Sequence, residues 1–259
     1  NPEKSDSWNV GAVVSPRFLP GFTASADYFH IDLKDAIDSL SAQDIVDRCS
    51  EGLAEFCAAI IPDPSNPGRV LISRQPFNLN SIKVRGIDFE AAYRSRIFEG
   101  NLTLRGVATR NIDNITKTGI AGNVPFDIVG TNGVPASLPK WIYRFSATYD
   151  TPSYAVTAVA RGVSAGKYDA TGIECQTGCP LSTTQFPTYD DNSVSGTFYV
   201  DLNFTKKIEF WGSKRGEFFI NVTNVFYRWP LLLPETGLAA NSTYSDLLGR
   251  AFRTGVRLQ

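Results

Sequence analysis

The sequence predicts an all-β chain, a wall of antiparallel strands that belongs to a transmembrane β-barrel. Three observations predict it. Segment after segment alternates strictly between apolar and polar residues, the period-two pattern of a strand whose faces meet different surroundings. The clearest is 141–150, where Trp141, Tyr143, Phe145, Ala147 and Tyr149 alternate with Arg144, Ser146, Thr148 and Asp150. The connections are also sorted by length. Those at 15–21, 99–100, 151–153 and 211–216 are short, and those at 35–78, 118–139, 170–194 and 227–248 are long. Membrane barrels have short turns on one side and long loops on the other, whereas a soluble sandwich has no reason to sort them. Finally, the apolar parity of the best strands carries no charge across its middle, where Arg or Lys facing lipid costs about 2–4 kcal/mol.

Composition narrows the classes. The chain has 259 residues and a formal net charge of −1, so no global field argues for nucleic acid. No apolar run reaches the roughly 20 residues of a transmembrane helix, so a membrane segment here has to be a strand. The sequence holds one histidine, His30, and no phosphate-cradling glycine motif, nucleophile elbow or metal-ligand spacing. No enzyme and no cofactor is expected. Asp88 and Glu90 share a strand face, as any two polar residues at period two do.

Taken in order, 5–14 places Trp8, Val10, Ala12 and Val14 on one face, and the Pro/Gly turn 15–21 leads into a strand at 22–34. Its parity shifts near Tyr28 and Phe29, which predicts a bulge. Residues 41–60 read as helical, opening at Ser41 with Asp44 three later, a partial capping box. The breaker cluster DPSNPG follows. Strands are expected at 81–97 and 101–117, with a kink at Gly86 where the parity changes. The strand 141–150 turns at 151–153 into 154–169, and 197–208 alternates Phe198, Val200, Leu202 and Phe204 with Tyr199, Asp201, Asn203 and Thr205. The last hairpin runs through 217–224 and 250–259, with Phe252, Val256 and Leu258 on the apolar parity of its final strand. This makes about nine long strands.

The polar parity of these strands supplies the residues expected to face a water-filled lumen: Asp88, Glu90, Arg144, Asp150, Asp201 and Asn203. Tyr93, Trp141, Tyr149 and Tyr154 lie near strand ends on the apolar parity, where an aromatic belt is expected. Five N-x-[ST] matches, at Asn101, Asn114, Asn203, Asn221 and Asn241, read as barrel wall rather than as glycosylation acceptors. Four cysteines form two local pairs, Cys49/Cys57 and Cys175/Cys179, in polar, loop-like stretches. They fit two disulfides made in an oxidising compartment; of the three possible connectivities, nearness in sequence favours the local one. In the loop 227–248, Tyr227, Arg228 and Trp229 are candidate ligand contacts, since aromatic faces stack and arginine pairs with anions. A loop anchored by its own apolar cluster explains them equally well.

Two separated blocks resemble a known family. The end of the chain, with Asn224-Val225-Phe226, then Asp246-Leu247-Leu248-Gly249-Arg250, then AFRTGVRLQ, is similar to the C-terminus of the TonB-dependent outer-membrane transporters. So is the block PEKSDSWNVG…PRFLPGFTASADYFHIDLKDAI near the start, in the proteobacterial branch. The family usually has a tyrosine before the aspartate, where this chain has Ser245, and usually closes on a phenylalanine, where this chain has Gln259. The resemblance implies that residues 1–259 are the C-terminal part of a plugged barrel of about 22 strands, with the plug and early strands outside this chain. It implies a Gram-negative outer-membrane location and active import of a scarce ligand: siderophore iron, cobalamin or an oligosaccharide. The implied partners are the TonB–ExbB–ExbD complex, reached through the missing part, the outer-membrane lipid, and the remaining strands and plug. Phe252, Val256 and Leu258 would form the barrel-assembly strand. The competing expectations are a small passive porin or adhesin barrel and a soluble all-β binding module.

Overall fold

The nine long strands form one sheet in chain order. They are β1 (Lys4–Val14), β2 (Phe22–Asp38), β3 (Phe77–Ile97), β4 (Gly100–Lys117), β5 (Trp141–Asp150), β6 (Tyr154–Val163), β7 (Thr197–Glu209), β8 (Arg215–Thr223) and β9 (Ala251–Leu258). A short strand, Phe126–Asp127, pairs with β4 off this path. The computed structural model describes residues 2–118, 124–134, 137–183, 185–209, 215–233, 240 and 243–258. The expected turn at 211–216 lies largely outside these residues.

Register explains why the period-two pattern works as a surface. From β4 to β9 each strand pairs antiparallel with the next, with Leu104 opposite Ala147, Ala147 opposite Ala158, Ala158 opposite Leu202, Leu202 opposite Val222 and Val222 opposite Phe252. One face of this sheet is therefore apolar over six adjoining strands. Its side chains are open: Phe145 is 51% exposed, Phe204 40%, Phe252 71% and Leu258 73%. A water-soluble sandwich would bury such a face against a second layer, because contiguous apolar patches of this size do not face water. The aromatic rings line up near the short β5–β6 turn, with Tyr149 6.1 Å from Tyr154 and Tyr154 6.4 Å from Phe204.

Aromatic rings also explain two strand glycines. A Cβ at Gly106 would lie 2.8 Å from the Phe145 ring, and one at Gly86 2.3 Å from the Phe29 ring. Each ring covers backbone that a side chain would otherwise occupy. Gly106→Val is expected to destabilise the wall by about 1–3 kcal/mol through overpacking, read as a lower temperature for the heat-induced shift in gel migration.

Clustering of contacts divides the chain into two units, residues 1–6, 31–83 and 116–125, and residues 7–30, 84–115 and 126–259. In the first, the expected helix over 41–60 is two helices, α1 (Ala42–Ser50) and α2 (Ala54–Cys57). Gly52, at φ 92°, takes the left-handed conformation that stops α1. The capping box is complete: Asp44 N–H donates to the Ser41 hydroxyl at 3.0 Å, and Asp44 Oδ2 accepts from Ser41 N–H at 3.2 Å. Ile45 and Phe56 pack together as a small core. Cys49 and Cys57 thus lie on helices, not in an irregular loop, and the structure joins them. Closing so short a loop is worth about 2–3 kcal/mol of unfolded-state entropy. Reducing this bond is expected to make residues 50–56 a proteolysis site on intact cells.

In the second unit, the expected continuous strand over 154–169 breaks after Val163. Ser164 ends it: its N–H donates to Trp141 O at 3.0 Å and its hydroxyl accepts from Trp141 N–H at 3.1 Å. The chain then leaves the wall as the strand Gly166–Asp169, which pairs with Thr131–Val134 and Ser193–Val194 in a separate three-stranded sheet. The connections read as loops at 118–139 and 170–194 therefore carry strands. Cys175 and Cys179 are joined in the second of them. There too the Ser193 hydroxyl, and then its N–H at 2.8 Å, hold the Asp191 carboxyl below the usual carboxylate range.

Candidate functional site

The face opposite the apolar one gathers the charges. Ser146, Thr148 and Asp150 of β5 pair with Val159, Thr157 and Ala155 of β6, which pair in turn with Asp201, Asn203 and Thr205 of β7. All six residues expected to line a lumen lie on this face. Asp88 accepts from the Thr109 hydroxyl at 2.6 Å, and Glu90 from Arg105 Nε at 2.9 Å. Asp150 accepts from Lys207 Nζ at 2.5 Å. Asn203 donates to the Asn221 side chain across β7 and β8. The two are sequon asparagines, turned toward each other inside the wall.

The centre of the face is a residue the sequence reading did not single out. Arg161 of β6 donates from Nε to Asp201 Oδ2 at 3.2 Å and from Nη2 to Asp246 Oδ2 at 3.4 Å. Its guanidinium also covers the Tyr199 ring, 4.9 Å from the centroid. Arg161 shares the polar parity of its strand with Thr157, and that was the available signal. Its partners lie 40 and 85 residues away, and no local pattern reveals such contacts. Through Asp246 the last long connection is fastened onto this face.

The start of that connection is built on Asn224. At φ 52° it adopts the left-handed conformation, and it is fully buried. Its side chain accepts from Arg228 N–H at 2.8 Å and donates to Arg228 O at 2.7 Å, while its own N–H donates to Asp201 Oδ1 at 2.8 Å. Asparagine tolerates this backbone and bonds locally, so it fits a sharp exit from a strand. Tyr227 packs edge-on against Trp229 at 5.0 Å, and Arg250 lies over the Tyr227 ring at 5.5 Å. Arg250 and Gly249, the latter at φ 70°, thereby tie the entry to β9 to the exit from β8. Of the three candidate ligand contacts, Tyr227 and the backbone of Arg228 serve this anchor, and Trp229 is 71% exposed.

In the final hairpin Phe252 and Val256 of β9 stand opposite Val222 and Phe218, and Leu258 stands opposite Gly216. All three lie on the apolar face. Among the described residues no group of His, Cys, Asp and Glu is placed to hold a metal ion.

A family model described as TonB dependent receptor-like, beta-barrel matches residues 1–225. The chain belongs to that family. It is part of a β-barrel of the cell outer membrane, and among the described residues no helix is long and apolar enough to cross a membrane. No curated protein sequence matches the chain. Solved structures match its fold across almost all of its length. The FrpB iron transporter from Neisseria meningitidis has a TM-score of 0.57 at 17% identity over 98% of this chain and 31% of that one. A mutant of the ferric enterobactin receptor PfeA from Pseudomonas aeruginosa, in complex with enterobactin, has a TM-score of 0.58 at 15% identity over 98% and 31%. The copper transporter OprC has a TM-score of 0.52 at 15% identity over 99% and 31%. The chain thus spans about a third of the length of these relatives.

Proposed function

We propose that these strands form the C-terminal part of the barrel of an active importer, which carries a scarce ligand across the outer membrane with energy delivered by TonB. On this reading the plug and the TonB-contacting segment lie outside the chain, and ExbB and ExbD act through TonB. The apolar face meets lipid and the polar face lines the stoppered lumen. The observation that carries the reading is the division of one sheet into an exposed apolar face, charged only near strand ends at Arg110 and Lys206, and a face that gathers most of the charges, in a wall of this family. Nine strands in lipid leave two edges of unpaired backbone, and these need further strands to pair with. The candidate cargoes are iron siderophores, cobalamin and oligosaccharides; copper joins them by analogy with OprC.

The test uses the full-length protein in a Gram-negative cell with its other importers deleted. Uptake of labelled ferric siderophores, cobalamin, maltodextrins and copper is measured with and without TonB. For one cargo class, accumulation against a gradient is expected, falling at least tenfold when TonB is removed. Equal uptake with and without TonB would identify a passive pore and overturn the proposal.

A further inference from the structure

We infer that a cavity on the polar face beside Arg144 is a binding site for a small organic anion, a carboxylate or phosphate ester, with Arg144 as its charged contact. The inference rests on the reading that this face lines the lumen, and it narrows the cargo class or a co-transported ion to anions.

The cavity, about 310 Å³, lies between β4, β5 and β6 on one side and the last long connection on the other; Thr109, Arg144, Arg161, Thr243 and Tyr244 line it. That volume is at the lower end of small-ligand sites, which run from roughly 300 to 1,000 Å³.

Two arginines stand directly opposite each other here, Arg144 of β5 against Arg161 of β6. Like charges in this arrangement repel; Arg144 is exposed to water, and a carboxylate counter-charge relieves the repulsion at either one. Arg161 has two. Arg144 has no hydrogen-bond or ion-pair partner among the described residues, whereas Arg85, Arg105 and Arg257 each hold a carboxylate.

The nearby acids are already engaged. Asp201 spends Oδ2 on Arg161 and Oδ1 on Asn224 N–H. Asp246 spends Oδ2 on Arg161 and Oδ1 on Leu248 N–H at 3.2 Å. Asp88 accepts from Thr109. Arg144 therefore presents a planar fork of N–H donors to a space that contains no acceptor of opposite charge. Such a fork matches a carboxylate or phosphate with two parallel hydrogen bonds. Thr243 and Tyr244 line the cavity from the connection side. A neutral sugar would leave the charge unanswered.

The test is calorimetric titration of the purified full-length protein in detergent with citrate and with glucose 6-phosphate, and with glucose as the neutral probe. Saturable binding of at least one anion is expected, weakening as salt is raised, with no binding of glucose. Arg144→Gln is expected to weaken it tenfold or more. Arg144→Lys keeps the charge without the fork and should fall between. Arg253→Gln, on the same face of β9, should leave it unchanged. Heat-shifted gel migration on the same samples reports whether each variant forms its barrel. Absence of saturable anion binding, equal binding of glucose, or unchanged affinity in a folded Arg144→Gln protein would overturn the inference. Anion binding without TonB-dependent uptake would sink the import reading alone; the reverse would sink the anion site alone.

Discussion

Ala158→Arg is expected to keep the protein out of the outer membrane, while Thr157→Arg, one residue away, is expected to be accepted. The two positions lie mid-strand on β6 but on opposite faces. Ala158 stands between Ala147 and Leu202, and Thr157 between Thr148 and Asn203. If the apolar face meets hydrocarbon, a guanidinium there costs about 2–4 kcal/mol at mid-membrane. On the polar face the same group meets hydroxyls and amides, and its charge stays in a wet space. The measurement is the heat-shifted, outer-membrane fraction of full-length protein in each variant. The reverse ranking, with Thr157→Arg excluded and Ala158→Arg accepted, would mean that the faces have been assigned backwards.

The second large effect is expected from Asn224→Ala. This change removes both side-chain bonds to Arg228 and asks alanine to hold a φ of 52°. Each bond is worth about 1 kcal/mol, and the left-handed conformation costs a residue with a Cβ about another 1–2 kcal/mol. A loss of roughly 3 kcal/mol is expected, concentrated in the exit from β8. Hydrogen exchange should quicken at residues 225–233 and at 246–250, which Tyr227 and Arg250 tie together, while β5 and β6 stay protected. Asn224→Gly, which adopts the same backbone freely, should recover the conformational part only. Unchanged exchange over 225–233 in the alanine variant would show that the connection is held by something else.

The residues differ in how openly the sequence displays their roles. The faces of β5 and β7 were legible because alternation is local: Phe145 and Arg144 point to opposite sides whatever their neighbours do. The pairing of Cys49 with Cys57 was legible from nearness, but their helical setting was not, since Gly52 divides a stretch whose spacing reads as one helix. The run 154–169 also misled, because its apolar residues continue past Val163. What stops it is the Ser164 hydroxyl, which takes the Trp141 N–H in place of the Ser164 carbonyl, while that carbonyl accepts from Asn132 Nδ2.

By itself, the sequence determined an all-β wall of about nine strands, the residues on each side of it, and the alternation of its connections. These follow from the two-residue repeat of an extended backbone and from turn-forming residues, which act within a few positions. Only the tertiary structure decided which charges neutralise one another. Arg161 finds Asp201 and Asp246 across 40 and 85 residues, and Arg144 is left opposite it. The physical reason is register: it is set by how long connections return the chain to the sheet, and moving a strand by two residues would keep every face while changing every partner.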